Sequence, residues 1–166
     1  MTKVYVAECR LGRGLFAAVG IARGEPILCF TGRVRALREI VGRPDSFNLL
    51  QISRDAYLDL EAPGVFANHS CEPNAGVRRN TLLIALRDLR PGEEIRFDYS
   101  TTMDEQLETM VCRCYSPGCR GVVRDFRELP ARVRERYLLS GLVQDFIHTR
   151  ELADHWLDSA AGASRE

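Results

Sequence analysis

Lysine is all but missing from this chain: of 23 basic residues only Lys3 is lysine, and the other 22 are arginine. A GC-rich genome accounts for that bias without any functional demand on composition. Net charge is missing too, with 23 basic residues against 23 acidic ones. No overall basic field therefore draws the chain to nucleic acid or to an anionic membrane. No apolar run approaches the ~20 residues of a membrane span, and the first ten residues, Met1 to Arg10, lack the apolar core of a secretory signal. The expectation is a cytoplasmic protein with no membrane partner and no direct nucleic-acid contact. Thiols stay reduced in that compartment, so the six cysteines read as metal-binding or catalytic before they read as disulfides. Internal repeats and low-complexity segments are also absent. What remains, 166 residues at 45% hydrophobic, suits one domain with a real core.

Short β-rich runs fill the first hundred residues: Val4 to Ala7, Pro26 to Phe30, Phe47 to Ile52, Tyr57 to Leu60, Leu82 to Leu86 and Glu94 to Tyr99. Glycine and proline punctuate them at Gly12, Gly24, Gly32, Gly42, Pro63-Gly64 and Pro91-Gly92, as in small twisted sheets joined by turns. Thr101 to Met110 is polar and aperiodic and reads as a loop. After Cys119 the period lengthens. Leu129, Val133 and Tyr137 share a helical face, and Leu142, Phe146 and Ile147 resume after Ser140-Gly141, so two helices are expected before a frayed end from Ala160.

Two segments carry the chemistry. Asn68-His69-Ser70-Cys71-Glu72-Pro73-Asn74 is followed by Cys112-Arg113-Cys114-Tyr115-Ser116-Pro117-Gly118-Cys119. Cys112 and Cys114 are too close in sequence for an unstrained disulfide, yet both can reach one ion, and the Ser-Pro-Gly turn brings Cys119 back toward them. A structural zinc needs a fourth ligand, from Cys9, Cys29, Cys71 or a histidine. Cys9 and Cys29 lie in strand-like surroundings and read as small buried hydrophobes.

These residues resemble the SET-domain lysine methyltransferases. Asn68 to Asn74 is similar to the family's central motif, Gly92-Glu93-Glu94-Ile95-Arg96-Phe97-Asp98-Tyr99 to its catalytic strand, and Cys112-x-Cys114-x4-Cys119-x-Gly121 to its post-SET zinc segment. Gly12-Arg13-Gly14, with Leu15-Phe16-Ala17 and Ile21-Ala22-Arg23-Gly24-Glu25, resembles the opening that cradles the methyl donor. The four motifs stand in order from about Leu11 to Gly121. The resemblance implies a mostly-β fold of several small sheets around a knot-like core, with the SET domain over 1–110, the zinc segment over 111–122 and a helical extension over 123–166, all one compact unit.

The resemblance also implies roles. S-adenosylmethionine would lie beside Arg13 and Gly14, with its adenine against Asn68 and His69. Cys71 would complete a Zn2+ site with Cys112, Cys114 and Cys119, and the metal would be structural. Tyr99 would be catalytic, in a channel lined by Phe30 and Phe97 where the ε-amine of a protein lysine meets the donor methyl. An attacking amine must be neutral, and a free lysine has a pKa of ~10.4. An apolar channel and a neighbouring positive charge both lower that value, so alignment and exclusion of water are the enzyme's main tasks. In the family a tyrosine at the position of Phe97 holds a water that stops methylation early. Phenylalanine there implies di- or trimethyl-lysine.

The chain departs from the pattern in places. Phe30 and Val65 stand where the family commonly has tyrosine and arginine, no cysteine-rich region precedes Leu11, and Arg33 to Ile52 replaces the segment that often reads the peptide. The protein substrate is therefore not named by the sequence. Two alternatives stand beside the leading reading, a methyltransferase acting on a small-molecule amine and a zinc-stabilised interaction module without catalysis. Retention of Gly14, Asn68, His69 and Tyr99 together argues against the second.

Overall fold

The computed structural model describes residues 2–41, 48–105 and 109–163, with side chains described as far as Asp154. Four small sheets form the bulk of the chain, as expected of short strands broken by turns. Strands β1 (Val4–Cys9) and β2 (Gly12–Ala17) make a hairpin in which Cys9 faces Gly12 and Val4 faces Ala17. Strand β3 is Pro26–Cys29, β4 is Gly32–Ala36, β5 is Leu49–Gln51 and β6 is Ala56–Leu60. Strand β7 is Asn68–His69, β8 is Ala75–Arg78, β9 is Leu82–Ala85 and β10 is Glu94–Phe97. They assemble in the orders β1-β2-β10-β7, β3-β9-β8 and β4-β6-β5. The fourth sheet is the short pair β11 (Met110–Val111) and β12 (Val122–Val123). A single helical turn, α1 (Leu37–Ile40), follows β4.

The sheets enclose a core in which Leu15, Val77, Leu83 and Ile95 have no exposed surface. Each such side chain contributes about 2 kcal/mol by leaving water. A second cluster joins Ile84 on the back of β9 to Phe126, Leu129, Tyr137, Leu142, Val143 and Ile147. Its helices are α2 (Ala131–Ser140) and α3 (Asp145–Ala163). Gly141 ends α2 in the left-handed conformation at φ +62°, where its amide reaches Leu138 O at 3.1 Å. Only glycine takes that geometry without steric cost. Buried Gln144 then fastens the helices to the sheets by donating to Gln51 O at 2.7 Å and Asn80 O at 3.1 Å.

Several details differ from the sequence reading. Strands β2, β4 and β8 were not expected, because Gly12-Arg13-Gly14 reads locally as a turn and only pairing with β1 makes it a strand. Strand β10 stops at Phe97, and Tyr99 opens a 3-10 turn (Tyr99–Thr102) whose first free amide, Ser100 N, is capped by the Asp98 carboxylate at 3.2 Å. Helix α3 starts at Asp145 and its backbone runs on through Ala160 to Ala163; the rest of the end expected to fray, 164–166, lies outside the described residues. Cys29 is exposed and Cys9 is half-buried, so neither is the small core residue expected. The Phe47 end of one expected strand and the middle of the expected loop lie outside the described residues.

Candidate active site and metal centre

Parallel pairing of β7 with β10 sets Asn68 beside Arg96 and His69 beside Phe97. The chain beyond β7 stays locked to the same strand. Ser70 N donates to Phe97 O at 2.9 Å, Asn74 Oδ1 accepts from Arg96 N at 2.8 Å, and Asn74 Nδ2 donates to Glu94 O at 2.7 Å. Asn74 therefore acts as a third backbone edge, and it holds the Asn68 to Asn74 segment against the strand that leads into Tyr99.

Beside this junction lies a mostly apolar cavity of about 230 Å³, whose walls include Leu60, Val65, Ala67, Phe97, Tyr99 and Met103. Phe97 and Tyr99 pack with ring centroids 4.8 Å apart. Phe30 packs behind Phe97 at 5.7 Å, and a Cβ on Gly64 would come within 2.7 Å of its ring, so it backs the wall without lining it. The Tyr99 hydroxyl donates to Ala67 O at 2.9 Å, and the Tyr99 amide donates to His69 Nδ1 at 3.2 Å. Burial, helped by the Glu94 carboxylate, holds the Tyr99 hydroxyl above its ordinary pKa. Both effects favour the neutral phenol. Its oxygen lone pairs remain available to an incoming donor.

On the other side of β7, Asn68 Nδ2 lies 3.0 Å from Arg13 O, 3.0 Å from Glu94 Oε1 and 3.5 Å from Cys9 Sγ. The Arg13 guanidinium stacks 4.2 Å over the Phe66 ring. A Cβ on Gly14 would come within 2.8 Å of Glu94 Oε1 and 3.2 Å of Cys9 Sγ. A side chain at 14 would thus crowd Cys9 and push the Glu94 carboxylate aside, quite apart from any ligand.

The thiols converge as their spacing suggests. Buried His69, Cys71, Cys112 and Cys114 place their ligand atoms within 4.8 Å of one another. Cys71 Sγ and Cys112 Sγ are 3.7 Å apart, and Cys114 Sγ lies 2.8 Å from Ser116 Oγ. Burial pushes the Cys71 and Cys112 thiols up. It pushes Cys114 up as well, but hydrogen bonds from the Cys71 amide and from Ser116 outweigh it and bring that thiol down to about 6. Cys119 is exposed and stands outside the tight group; it accepts from Gly121 N at 3.4 Å and lies in hydrogen-bonding reach of Cys112.

Among the described residues His69, not Cys119, is the fourth member of the tight group, and its hydrogen bonds bear on whether it can ligate. Burial holds its pKa down, to about 4, with Arg120 and Arg96 opposing the attraction of Asp98. The ring is therefore neutral. Its Nδ1 accepts from the Tyr99 amide, which leaves the single ring hydrogen on Nε2, 3.3 Å from Cys71 Sγ. His69 so oriented donates to the Cys71 sulfur and has no lone pair to offer a metal. The three clustered sulfurs of Cys71, Cys112 and Cys114 suit a soft divalent ion such as zinc, which takes a fourth ligand.

Beneath both sites lies a buried carboxylate that the sequence reading noticed only as the neighbour of Tyr99. Asp98 accepts from Arg120 at 2.7 Å, from the Tyr137 hydroxyl at 2.8 Å and from Ser100 N at 3.2 Å, and it stands 3.6 Å from His69 Nδ1. One residue thus ties the cysteine segment and α2 to the histidine that positions Tyr99. Tyr137 registered in the sequence only as one point of a helical apolar stripe. Arg120 carried no periodic signal at all.

A protein-family model described as the SET domain matches residues 12–100. The chain is 32% identical over 129 residues to the histone-lysine N-methyltransferase ash1 of Drosophila melanogaster, an alignment covering 68% of this chain and 6% of that protein. It is 31% identical over 129 residues to the H3 lysine-4 specific histone-lysine N-methyltransferase of Schizosaccharomyces pombe, covering 65% of this chain and 14% of the relative. The methyltransferase flvH of Aspergillus flavus is 26% identical over 110 residues, 64% of this chain and 62% of flvH. The fold is similar to that of KRYPTONITE, solved in complex with mCHG DNA and SAH, at a TM-score of 0.61 and 22% identity, over 73% of this chain and 29% of that one. This chain spans only a small part of the large relatives, and the stretch of it that the family model matches, 12–100, includes Gly14, Asn68, His69, Phe97 and Tyr99. The chain belongs to the SET-domain family.

Proposed function

We propose that this chain transfers methyl groups from S-adenosylmethionine to the ε-amine of a protein lysine. The observation that carries this reading is an apolar cavity lined by Tyr99, whose hydroxyl is fixed on Ala67 O, beside the strand β7 that carries Asn68. Histone-lysine methyltransferases among its relatives support a protein substrate. Among the described residues no helix is long and apolar enough to cross a membrane. We read the chain as one unit, with a SET domain over 1–110, a post-SET zinc segment over 111–122 and a helical extension over 123–166, acting in the cytoplasm.

S-adenosylmethionine, when bound, supplies an electrophilic methyl group. The chain's own residues do the rest. Arg13 and Gly14 would hold its methionine part, and Asn68 and His69 its adenine. Phe97, Leu60 and Val65 exclude water from an entering lysine side chain and so disfavour its charged form. The Tyr99 oxygen, fixed by its bond to Ala67 O, accepts from the amine and aims the lone pair along the cavity. Cys71, Cys112, Cys114 and Cys119 would hold a structural zinc, which ties the cysteine segment to the SET core.

Because Asn68 supplies both an amide and the adjoining backbone of the cleft, Asn68→Ala is expected to weaken donor binding by on the order of 1 to 3 kcal/mol. Calorimetry on the folded variant measures it, and unchanged affinity would put the donor elsewhere. Phe97 presents no hydroxyl to the cavity, so no water is hydrogen-bonded there to obstruct a methylated amine. Products up to di- or trimethyl-lysine are expected, with Phe97→Tyr shifting them toward monomethyl. Mass spectrometry under excess donor reads the distribution; a wild type that stops at one methyl would assign the limit to another residue. The function itself is tested by incubating the protein with methyl-labelled donor and host lysate. Label in protein is expected, and label confined to small molecules would overturn the reading.

A further inference from the structure

A second cavity, of about 570 Å³, opens between the sheet β3-β9-β8 and α2, on the far side of the Cys71 segment. Arg23, Arg78, Arg87 and Arg136 stand around it, with Glu72 the one carboxylate of its lining. Glu72 is already engaged, accepting from Gly118 N at 3.2 Å. Arg87 is neutralised by Glu93 outside the cavity. The other three carry net positive charge into it. Among the described residues the Arg23 and Arg136 guanidiniums are in no ion pair, although the Asp88 carboxylate accepts from the Arg23 amide at 2.8 Å; Arg136 lies 5.3 Å over the Tyr137 ring, and Arg78 donates to the carbonyl of Ser140 at 3.1 Å. Ile84, Leu86 and Leu142 form an apolar floor.

Three exposed guanidiniums around one concavity repel one another weakly through water and present their donors to a soluble anion that could bridge them. Planar guanidiniums match the geometry of phosphate oxygens and bind them bidentately. The volume falls within the range of small-molecule sites of about 300 to 1,000 Å³, and the apolar floor could seat a ring beside the charged group. We propose that this cavity is a binding site for a phosphate-bearing small ligand, distinct from the methyl-donor cleft and the amine cavity. A phosphate alone or a nucleoside monophosphate satisfies the same arginines, and the floor distinguishes them.

The test is calorimetric titration of the zinc-containing protein with inorganic phosphate and, separately, with adenosine monophosphate, each with and without saturating S-adenosylmethionine. Saturable binding is expected in at least one arm, unaffected by S-adenosylmethionine and weakened at least tenfold in the double variant Arg78→Gln, Arg136→Gln. Tighter binding of the nucleotide would assign the floor to its base; equal binding would assign the site to phosphate alone. The variant should keep its zinc content and donor affinity, and if it does not fold, raised salt on the wild type serves instead, lowering affinity at the arginines. No saturable binding in either arm, binding abolished by S-adenosylmethionine, or binding indifferent both to the arginine substitutions in a folded variant and to salt would overturn the proposal.

Discussion

Tyr99→Phe slows methyl transfer by about two orders of magnitude or more, as expected when a positioned catalytic hydroxyl is lost. The substitution keeps the ring that packs on Phe97 and against the edge of His69, so the cavity wall survives. What it removes is one bond to Ala67 O, a loss of about 1 kcal/mol in stability, and the hydroxyl oxygen assigned to orient the amine. Donor affinity should change by less than about twofold, because the Tyr99 hydroxyl bonds Ala67 O and none of Arg13, Gly14 and Asn68. Burial favours the protonated phenol, so a rise of rate with pH is expected from the lysine amine, and the pH profile of the variant should keep the wild-type shape. Wild-type turnover in a folded variant would remove Tyr99 from the mechanism. A profile that lost its rise would give Tyr99 a proton-transfer role that its burial argues against.

Removing the metal has the second large effect. The pair β11 and β12 has only two residues in each strand, too little to persist alone, and its packing partners are largely the cysteines themselves, Cys71, Cys112 and Cys114 around Val123. A structural zinc contributes on the order of 10 kcal/mol to such a segment, so the freshly purified protein should hold about one zinc per chain and lose activity when a chelator strips it. X-ray absorption should give four sulfur ligands at about 2.3 Å. Three sulfurs and one nitrogen would instead make His69 a ligand and require the Tyr99 amide to let go of Nδ1. Protein purified without zinc, or fully active after chelation, would contradict the metal centre altogether.

The parts of the site legible in the sequence are those written in contiguous strings. Asn68 to Asn74, Glu94 to Tyr99 and Cys112 to Cys119 each carry their chemistry within a few residues, and the alternation of short apolar runs with glycine and proline was enough for a mostly-β reading. What could not be read depends on pairing across the chain. The Gly12 to Ala17 segment looks like a turn until β1 and β10 flank it, and Cys29 looks buried until β3 proves to sit at a sheet edge. Phe30 was placed on the channel by analogy, whereas the approach of Gly64 sets it one layer behind. The Asp98 network was invisible for the same reason, since its partners Arg120 and Tyr137 lie 22 and 39 residues away. Charge composition hid the arginine-lined cavity as well, because a net charge of zero says nothing of where the charges collect.

The central claim is that the cavity ending at Tyr99 delivers a lysine ε-amine to the donor methyl. Site-resolved mass spectrometry of protein labelled by the wild type and by Tyr99→Phe, with donor in excess, tests it most directly. The account predicts methyl groups on lysine ε-nitrogens in the wild-type reaction and their near disappearance with the variant. Methyl groups on other atoms, or equal lysine methylation by both proteins, would contradict it.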